Sequence, residues 1–493
     1  MDFLDPRRKR AHRRRLFIGY ALMAVLVALG TIIVLNFANG YDFDRKTGTV
    51  IQNGIVYVDS KPGGAEIYLN DVRQGSRTDT RMALPAGAYT IRIEAEGYKK
   101  WERTFNLNGG ELLRLVYPYL VPIDLTSQEV ATYDTLPTFT SQSPNKRWVF
   151  IQRPGQSIQF DIYDLANASK PPVVASLPTT VITSPTLKST VSSVDWSSDN
   201  RHLIVRRTAK GVSEYLRIDR EQPQQSVNIN TLLGITPVEL TFRDGNPERI
   251  YFLDSIPGTL RSADIKSRSL SAPLANDVIS YKSHGAEIVV YASQSKDTAE
   301  GKVDFRILEN NKSYQLRAMK SSDKYVLDVS RFDDKWYYVV GTSEDGVAYV
   351  YENPLPALKQ EIPSPLIVTA IMRLKQPQFV SFSESSQFIA LQSGKQILTI
   401  DLFDRRQYLI SLSHNIANTY QTKWMDGYRL RFVVEKQAYI IDFDGSNQQG
   451  LGVSEVAIGP FFDPDYENIY SLSVSKKTPA KSALFQTDML IDR

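Results

Sequence analysis

DWSSDNRHLIV, residues 195–205, is an aromatic, then a polar turn, then an apolar run. Asp, Asn and Ser make the turn because their short side chains bond nearby backbone and tolerate left-handed conformations. The β-branched and apolar residues behind it read as a strand. Variants of this stretch recur along the chain: TFRDGNPERIYFL (241–253), RFDDKWYYVV (331–340), SFSESSQFIAL (381–391), KWMDGYRLRFVV (423–434) and FFDPDYENIYSL (461–472). QSPNKRWVFI (142–151) and KSHGAEIVVY (282–291) are weaker copies.

Each copy is followed by a second strand that ends in an acid: FDIYD, YLRID, LRSAD, FRILE, YVYE, ILTID, YIID and LFQTD. The closing acids are Asp164, Asp219, Asp264, Glu309, Glu352, Asp401, Asp442 and Asp488, spaced 55, 45, 45, 43, 49, 41 and 46 residues apart. A period of this size marks a repeat architecture. One unit is too small to bury its own apolar face, so the units must pack face to face around an axis. That predicts a β-propeller of eight blades, or seven if one weak repeat is an insertion. The last copy stops at FQTDMLIDR (485–493), without an outer strand. VPIDLTSQEVATYDTL (121–136) is expected to supply it by pairing with the 462–488 blade, which would remove an exposed sheet edge. The repeats resemble TolB-like and WD-repeat-like propeller units, whose pattern is an aromatic, a polar turn, a strand, and a strand ending in Asp.

Upstream, DSKPGGAEIYLND (59–71) poses a different question, since glycines after a strand also make phosphate loops. A phosphate loop must open a helix whose N–H groups converge on the anion. Here period-two alternation continues on both sides (Val56, Val58, then Ile67, Leu69), so the glycines form a turn between strands. Tyr89, Ile91, Ile93 and Ala95 continue the alternation after LPAG (84–87). Pro62, Gly64 and Ala65, with Leu84, Gly87, Tyr89, Gly97 and Tyr98 further on, resemble the PEGA domain, a small β-sandwich of microbial envelope proteins. Gly63 stands where that motif has Glu, and Asn70-Asp71 stands where it turns with Asn-Gly. The resemblance implies a binding or spacer module with no catalytic residues. Trp101 is read as core.

The N-terminus adds a membrane element. LFIGYALMAVLVALGTIIVLNFA (16–38) is 23 residues without a charge, enough to cross the roughly 30 Å hydrocarbon layer as a helix. Seven basic residues against two acids give residues 1–15 a charge of +5, which leaves −1 for the other 478. The basic side is expected to stay in the cytoplasm, with the C-terminal body extracytoplasmic. An uncleaved anchor is favoured over a signal peptide, whose apolar core is shorter, and over twin-arginine export through RRLFI (14–18). A nearly neutral body with a basic tail argues against nucleic acid as a partner.

Cysteine is absent, which excludes disulfides and thiolate chemistry. His12, His202, His284 and His414 are far apart in sequence. DFDGSN (442–447) lacks the Gly and Glu spacing of a calcium loop, and GVSEV (452–456) lacks the final Gly of a nucleophile elbow. The sequons at Asn167 and Asn311 read as loop residues. No catalytic, metal or cofactor-binding residue is therefore assigned, and no cofactor is expected. The expected organisation is a basic tail (1–15), a transmembrane helix (16–38), a linker (39–53), a PEGA-like β-sandwich (54–118), a linker with the closure strand (119–136) and a β-propeller (137–493). This all-β ectodomain is expected to bind an envelope protein or cell-wall glycan. The alternatives are a ligand sensor working with a partner membrane protein, or a hydrolase or lyase with its site in the central channel.

Overall fold

The computed structural model describes residues 6–38, 41–43, 50–167, 170–184, 187–285, 288–360, 365–413, 416, 420–455 and 459–491. The chain divides into two compact units, residues 1–123 and 124–493.

In the first unit a helix, α1, spans Pro6–Ala38, so the basic residues before the apolar run are helical too. Pro6 suits the first helical position, where its missing N–H would have had no intrahelical partner. Within Arg13–Leu35 the most apolar 18-residue window has a mean hydropathy of 2.5, and none of that window is buried. Leu22, Leu26, Ile33 and the other large apolar side chains along it are exposed on all sides.

The rest of the unit is a sandwich of two four-stranded sheets. One sheet contains Tyr41–Phe43, Val50–Val58, Thr80–Pro85 and Leu112–Leu115; the other contains Val72–Arg77, Glu66–Leu69, Gly87–Glu94 and Trp101–Leu107. The segment 39–53, expected as linker, contributes ordered pairing: Tyr41 faces Gln52 and Phe43 faces Val50. Residues 39–40 and 44–49 of that segment lie outside the described residues. Alternation works as read, with Val56, Ile67, Ile91 and Ile93 fully buried and Trp101 only 1% exposed. The turn at Asn70-Asp71 places both residues at positive φ (48° and 63°), the geometry of a two-residue hairpin whose twist matches the flanking strands. Asn70 tolerates this while its Oδ1 accepts the Thr90 N–H at 2.8 Å, and Asp71 pairs with Arg92. At Gly63 a Cβ would lie 2.7 Å from Oδ2 of Asp79, so the Asp79 carboxylate occupies the space a side chain at 63 would need.

The second unit contains eight four-stranded blades, two of them joined into one eight-stranded sheet. Blade 2 shows the plan, running outward from Thr190–Trp196 through His202–Ala209 and Val212–Asp219 to Val227–Asn228. Blades 3 and 4 join because Gly258 and Leu260 of the third strand of blade 3 pair with Val278 and Ala275 of the first strand of blade 4. The eighth blade takes Phe461–Phe462, Asn468–Val474 and Ser482–Asp488 from the C-terminus, and Ser127–Tyr133 as its outer strand. Ser482 faces Tyr133 and Thr487 faces Ser127, within the 121–136 segment expected to close the ring. Glu129 secures this strand by accepting from Ser475 Oγ at 3.1 Å and Lys476 N–H at 2.7 Å.

Apolar faces of neighbouring blades form the core. Phe150 and Phe160 of blade 1 pack with Trp196, Leu203 and Leu216 of blade 2, and Phe150 meets Trp196 edge-on at 5.4 Å. Tyr133, Leu472 and Leu484 of blade 8 pack with Val149 and Ile151 of blade 1. Each such aliphatic side chain removed from water contributes roughly 1.5–3 kcal/mol.

All eight periodic acids end the third strand of their blade. Asp219 receives Arg201 at 2.9 and 2.7 Å and caps the following turn through the N–H groups of Glu221 and Gln222. Asp164 does the same with Arg147 and the Ala166 N–H, and Asp401 with Gln387 and the Phe403 N–H. The acid therefore bolts the second strand to the third and starts the turn to the outer strand.

Candidate functional site

The first strand of each blade is an edge of its sheet, except in blade 4, which joins blade 3. The first strands of blades 1 and 2, 2 and 3, 4 and 5, and 5 and 6 touch one another, which makes these the inner strands of the ring. The blades of a propeller surround a central channel, and several charged side chains on these strands are partly exposed yet strongly desolvated.

Three carboxyls line one side. Asp195 of blade 2 and Asp328 of blade 5 are each pushed up to about 6 by burial, opposed in both cases by the charge of Lys282 on blade 4. Glu239 of blade 3 is also raised, by burial first and against Lys282 and Arg206. The two aspartates are tied into the wall. Asp195 accepts the N–H of Trp196 and of Phe242 on the next blade, both at 2.8 Å. Asp328 accepts the N–H of Val329 at 2.9 Å and of Phe382 on the next blade at 3.3 Å. They stitch inner strands together.

Blade 7 presents the opposite charge. Lys423 and Arg431 are direct cross-strand neighbours; burial lowers both, and the charge of Arg431 lowers Lys423 further. Arg431 donates to the carbonyl of Pro460, and Glu384 and Tyr420 help to keep it charged. Lys423 has no hydrogen-bond or ion-pair partner among the described residues. Its side chain is exposed, yet neighbouring protein desolvates its charge.

Turns on one face of the ring are tied together. Lys146, in the turn between the first two strands of blade 1, reaches across blades 8 and 7 to Glu384 of blade 6, with Nζ 2.6 Å from both carboxylate oxygens. Its ammonium also stands 5.2 Å from the centre of the Tyr466 ring of blade 8, whose hydroxyl donates to Met425 O of blade 7 at 3.3 Å. Burial raises Glu384 although Lys146 opposes it. Turn-to-turn bonds continue around this face, Asn145 N–H to Asn200 Oδ1 at 3.0 Å and Ser198 N–H to Gly245 O at 2.8 Å. The inner strands thus carry acids on blades 2, 3 and 5 around Lys282 of blade 4, and a second pair of cations on blade 7.

The residues weighed in the sequence fall elsewhere. Trp101 is in the core of the sandwich, edge-on to Tyr117 at 5.7 Å. Asp444 of DFDGSN accepts Ser446 N–H at 3.0 Å within its own turn. His202 lies between Asp199 and Asp219 at 3.3 and 3.4 Å, and His284 packs edge-on to Trp336. His414 and the side chain of His12 lie outside the described residues. Among the described residues no three His, Asp or Glu side chains are placed to hold a metal ion. Sequence reasoning missed Asp195, Glu239, Lys282, Asp328 and Lys423. The available signal was a charge on an innermost strand, where apolar or hydroxyl residues dominate.

Residues 53–118 match the PEGA domain family. This segment is a PEGA domain. The solved structures similar to the chain include β-propellers. A β-propeller domain of Cps50 (Swd1) from Myceliophteria thermophila aligns at 8% identity and TM-score 0.38, over 74% of this chain and all of that one. Hsv2 from Kluyvelomyces marxianus aligns at 10% identity and TM-score 0.37, over 61% of this chain and 99% of that one. The dihydro-heme d1 dehydrogenase NirN aligns at 13% identity and TM-score 0.41, over 65% of this chain and 66% of that one. No curated protein matches the sequence.

Proposed function

We propose that the chain is a membrane-anchored scaffold that presents a PEGA domain and an eight-bladed propeller outside the cytoplasm to an envelope protein or a cell-wall glycan, without catalysis. The observation that carries this reading is α1, whose Leu16–Leu35 stretch is apolar on every face and covered by no part of the protein. Such a surface is stable only in lipid. The basic residues on its N-terminal side orient it with that end in the cytoplasm. Two closed β units then follow on the other side of the bilayer. A closed ring whose blades are stitched by Asp195, Asp328 and the Lys146–Glu384 pair is a rigid platform, which is what a binding surface needs.

A second reading, a hydrolase or lyase working in the channel, is favoured by the raised carboxyls of Asp195 and Asp328. Against it, each of these carboxyls already accepts two backbone N–H groups.

The test uses the full chain in mild detergent, immobilised and offered isolated cell-wall polymer in one arm and solubilised envelope proteins in the other. Retention of the polymer, or of one protein in stoichiometric amount, supports the scaffold reading. Failure of both, with turnover of a chromogenic glycoside panel lost in Asp195→Asn, would replace it with the channel enzyme.

A further inference from the structure

The outward face of the first PEGA sheet carries two ordered rows of functional groups. Tyr57 pairs with Arg81 on one neighbouring strand and with Arg114 on the other. Paired residues in a sheet share a face, so Arg81, Tyr57 and Arg114 form a row across three strands at about 4.8 Å per step. Val56 and Val58, which alternate with Tyr57, are 0% and 1% exposed, so the row points away from the core. Two residues along the strand, about 6.6 Å away, the next row on this face is Asp79, Asp59 and Val116. The backbone keeps that register, with Asp79 N–H donating to Val58 O at 3.0 Å and Asp59 N–H to Leu115 O at 2.9 Å.

These residues line a recess of about 500 Å³, within the range of small-ligand sites, roughly 300–1,000 Å³. Both guanidiniums are exposed, and neither has an ion pair, hydrogen bond or ring contact among the described residues. Elsewhere on the domain arginines are engaged: Arg73 and Arg77 with Glu66, Arg92 with Asp71 and Glu94. The two aspartates face one another, and burial together with the Asp79 carboxyl raises Asp59. The two carboxyls share a hydrogen bond, which leaves their remaining lone pairs as acceptors beside two guanidiniums that have no partner among the described residues.

We propose that this face binds a carboxylated saccharide. A sugar ring stacked on Tyr57 spans the gap between the rows, so one unit satisfies both. Its carboxylate meets the forked donors of Arg81 and Arg114, and hydroxyls on the opposite edge donate to Asp59 and Asp79. Tyr57 supplies the flat apolar body against which a ring lies. A phosphate would fill only the arginine row, and a neutral sugar only the tyrosine and the acids. This deepens the scaffold reading by giving its glycan a site and a charge.

The test titrates the full chain in detergent with trigalacturonic acid, and with maltotriose and inorganic phosphate as comparisons, by calorimetry at pH 7. The expected result is binding of trigalacturonic acid that weakens at least tenfold in R81Q/R114Q, the loss of one charged hydrogen bond being about tenfold or more. R81K/R114K, which keeps charge but not the fork, should fall between. An unchanged melting temperature establishes that the variants fold. No binding of trigalacturonic acid, equal binding by R81Q/R114Q, equal affinity for maltotriose, or full displacement by phosphate each overturns the proposal. If R81Q/R114Q still retains cell-wall polymer as wild type does, this face is refuted and the scaffold reading survives through the propeller. Loss of every interaction in the wild type refutes both.

Discussion

Changing Asp195 and Asp328 to asparagine removes the two channel carboxyls that titrate near neutrality, and the structure fixes both the sign and the size of the effect. Each is raised from an ordinary value of 3.8 to about 6, with burial the principal cause. A carboxyl raised on folding contributes stability that is complete below about 3.8 and lost as the pH climbs through 6. Roughly two pH units at 1.36 kcal/mol per unit give an upper bound of about 3 kcal/mol per group. The partial exposure of both side chains reduces this to about 2 kcal/mol each, or about 4 for the pair. The asparagines bring a constant cost, because both carboxylate oxygens of each aspartate accept a backbone N–H and an amide NH₂ cannot replace one of them. That cost does not vary with pH. The difference in melting temperature, variant minus wild type, should therefore rise by on the order of 4–8 °C between pH 4 and pH 7.5 and then level off. Differential scanning fluorimetry of the full chain across that range measures it. A flat or falling difference would show that the carboxyls are ionised without penalty, and that the channel is wider and better solvated than the blade packing indicates.

Two further outcomes follow from the same physical terms. Asp219, held down at about 2 chiefly by Arg201 and turn N–H groups against burial, supports folding with about 2 kcal/mol above pH 4 and loses this as the pH falls through 2; Asp219→Ala should cost about 2–3 kcal/mol by removing the paired bonds to Arg201 and the turn cap, although Arg201 keeps Glu221 at 3.2 Å, read by urea unfolding at pH 7. A double-mutant cycle on Lys146→Met and Glu384→Gln should return a coupling of about 1 kcal/mol, and a value of zero would mean that the crossing bond is not formed in solution.

Much of this architecture is written in the chain because repeats average out local ambiguity. The eight acids mark the end of the third strand in every blade, since the same carboxylate must anchor Arg147 or Arg201 and cap the next turn each time. Blade 1 was one of two weak copies: its first strand ends at Gln142, where that of blade 2 ends in Trp196 and that of blade 3 carries Phe242 before Arg243. The merging of blades 3 and 4 left no trace, as backbone pairing at Gly258 and Leu260 needs no particular side chain. The channel charges were hidden for another reason. Lys282 and Lys423 look like ordinary surface lysines until the ring closes and turns their faces inward. The PEGA face was equally unreadable, because Arg81 and Arg114 are 33 residues apart and become neighbours only through Tyr57.

The closure strand has a consequence in time. Ser127 and Thr487, whose hydroxyls meet at 2.8 Å, are 360 residues apart. At about 5–20 residues per second, a ribosome needs roughly 20–70 s to travel from one to the other. Throughout that interval the strand Ser127–Tyr133 has been made and has no partner, while seven blades can assemble in order behind it. Its bare edge invites pairing with any other unfinished strand nearby. The cell must therefore shield this segment, or deliver the whole chain unfolded, before the ring can lock.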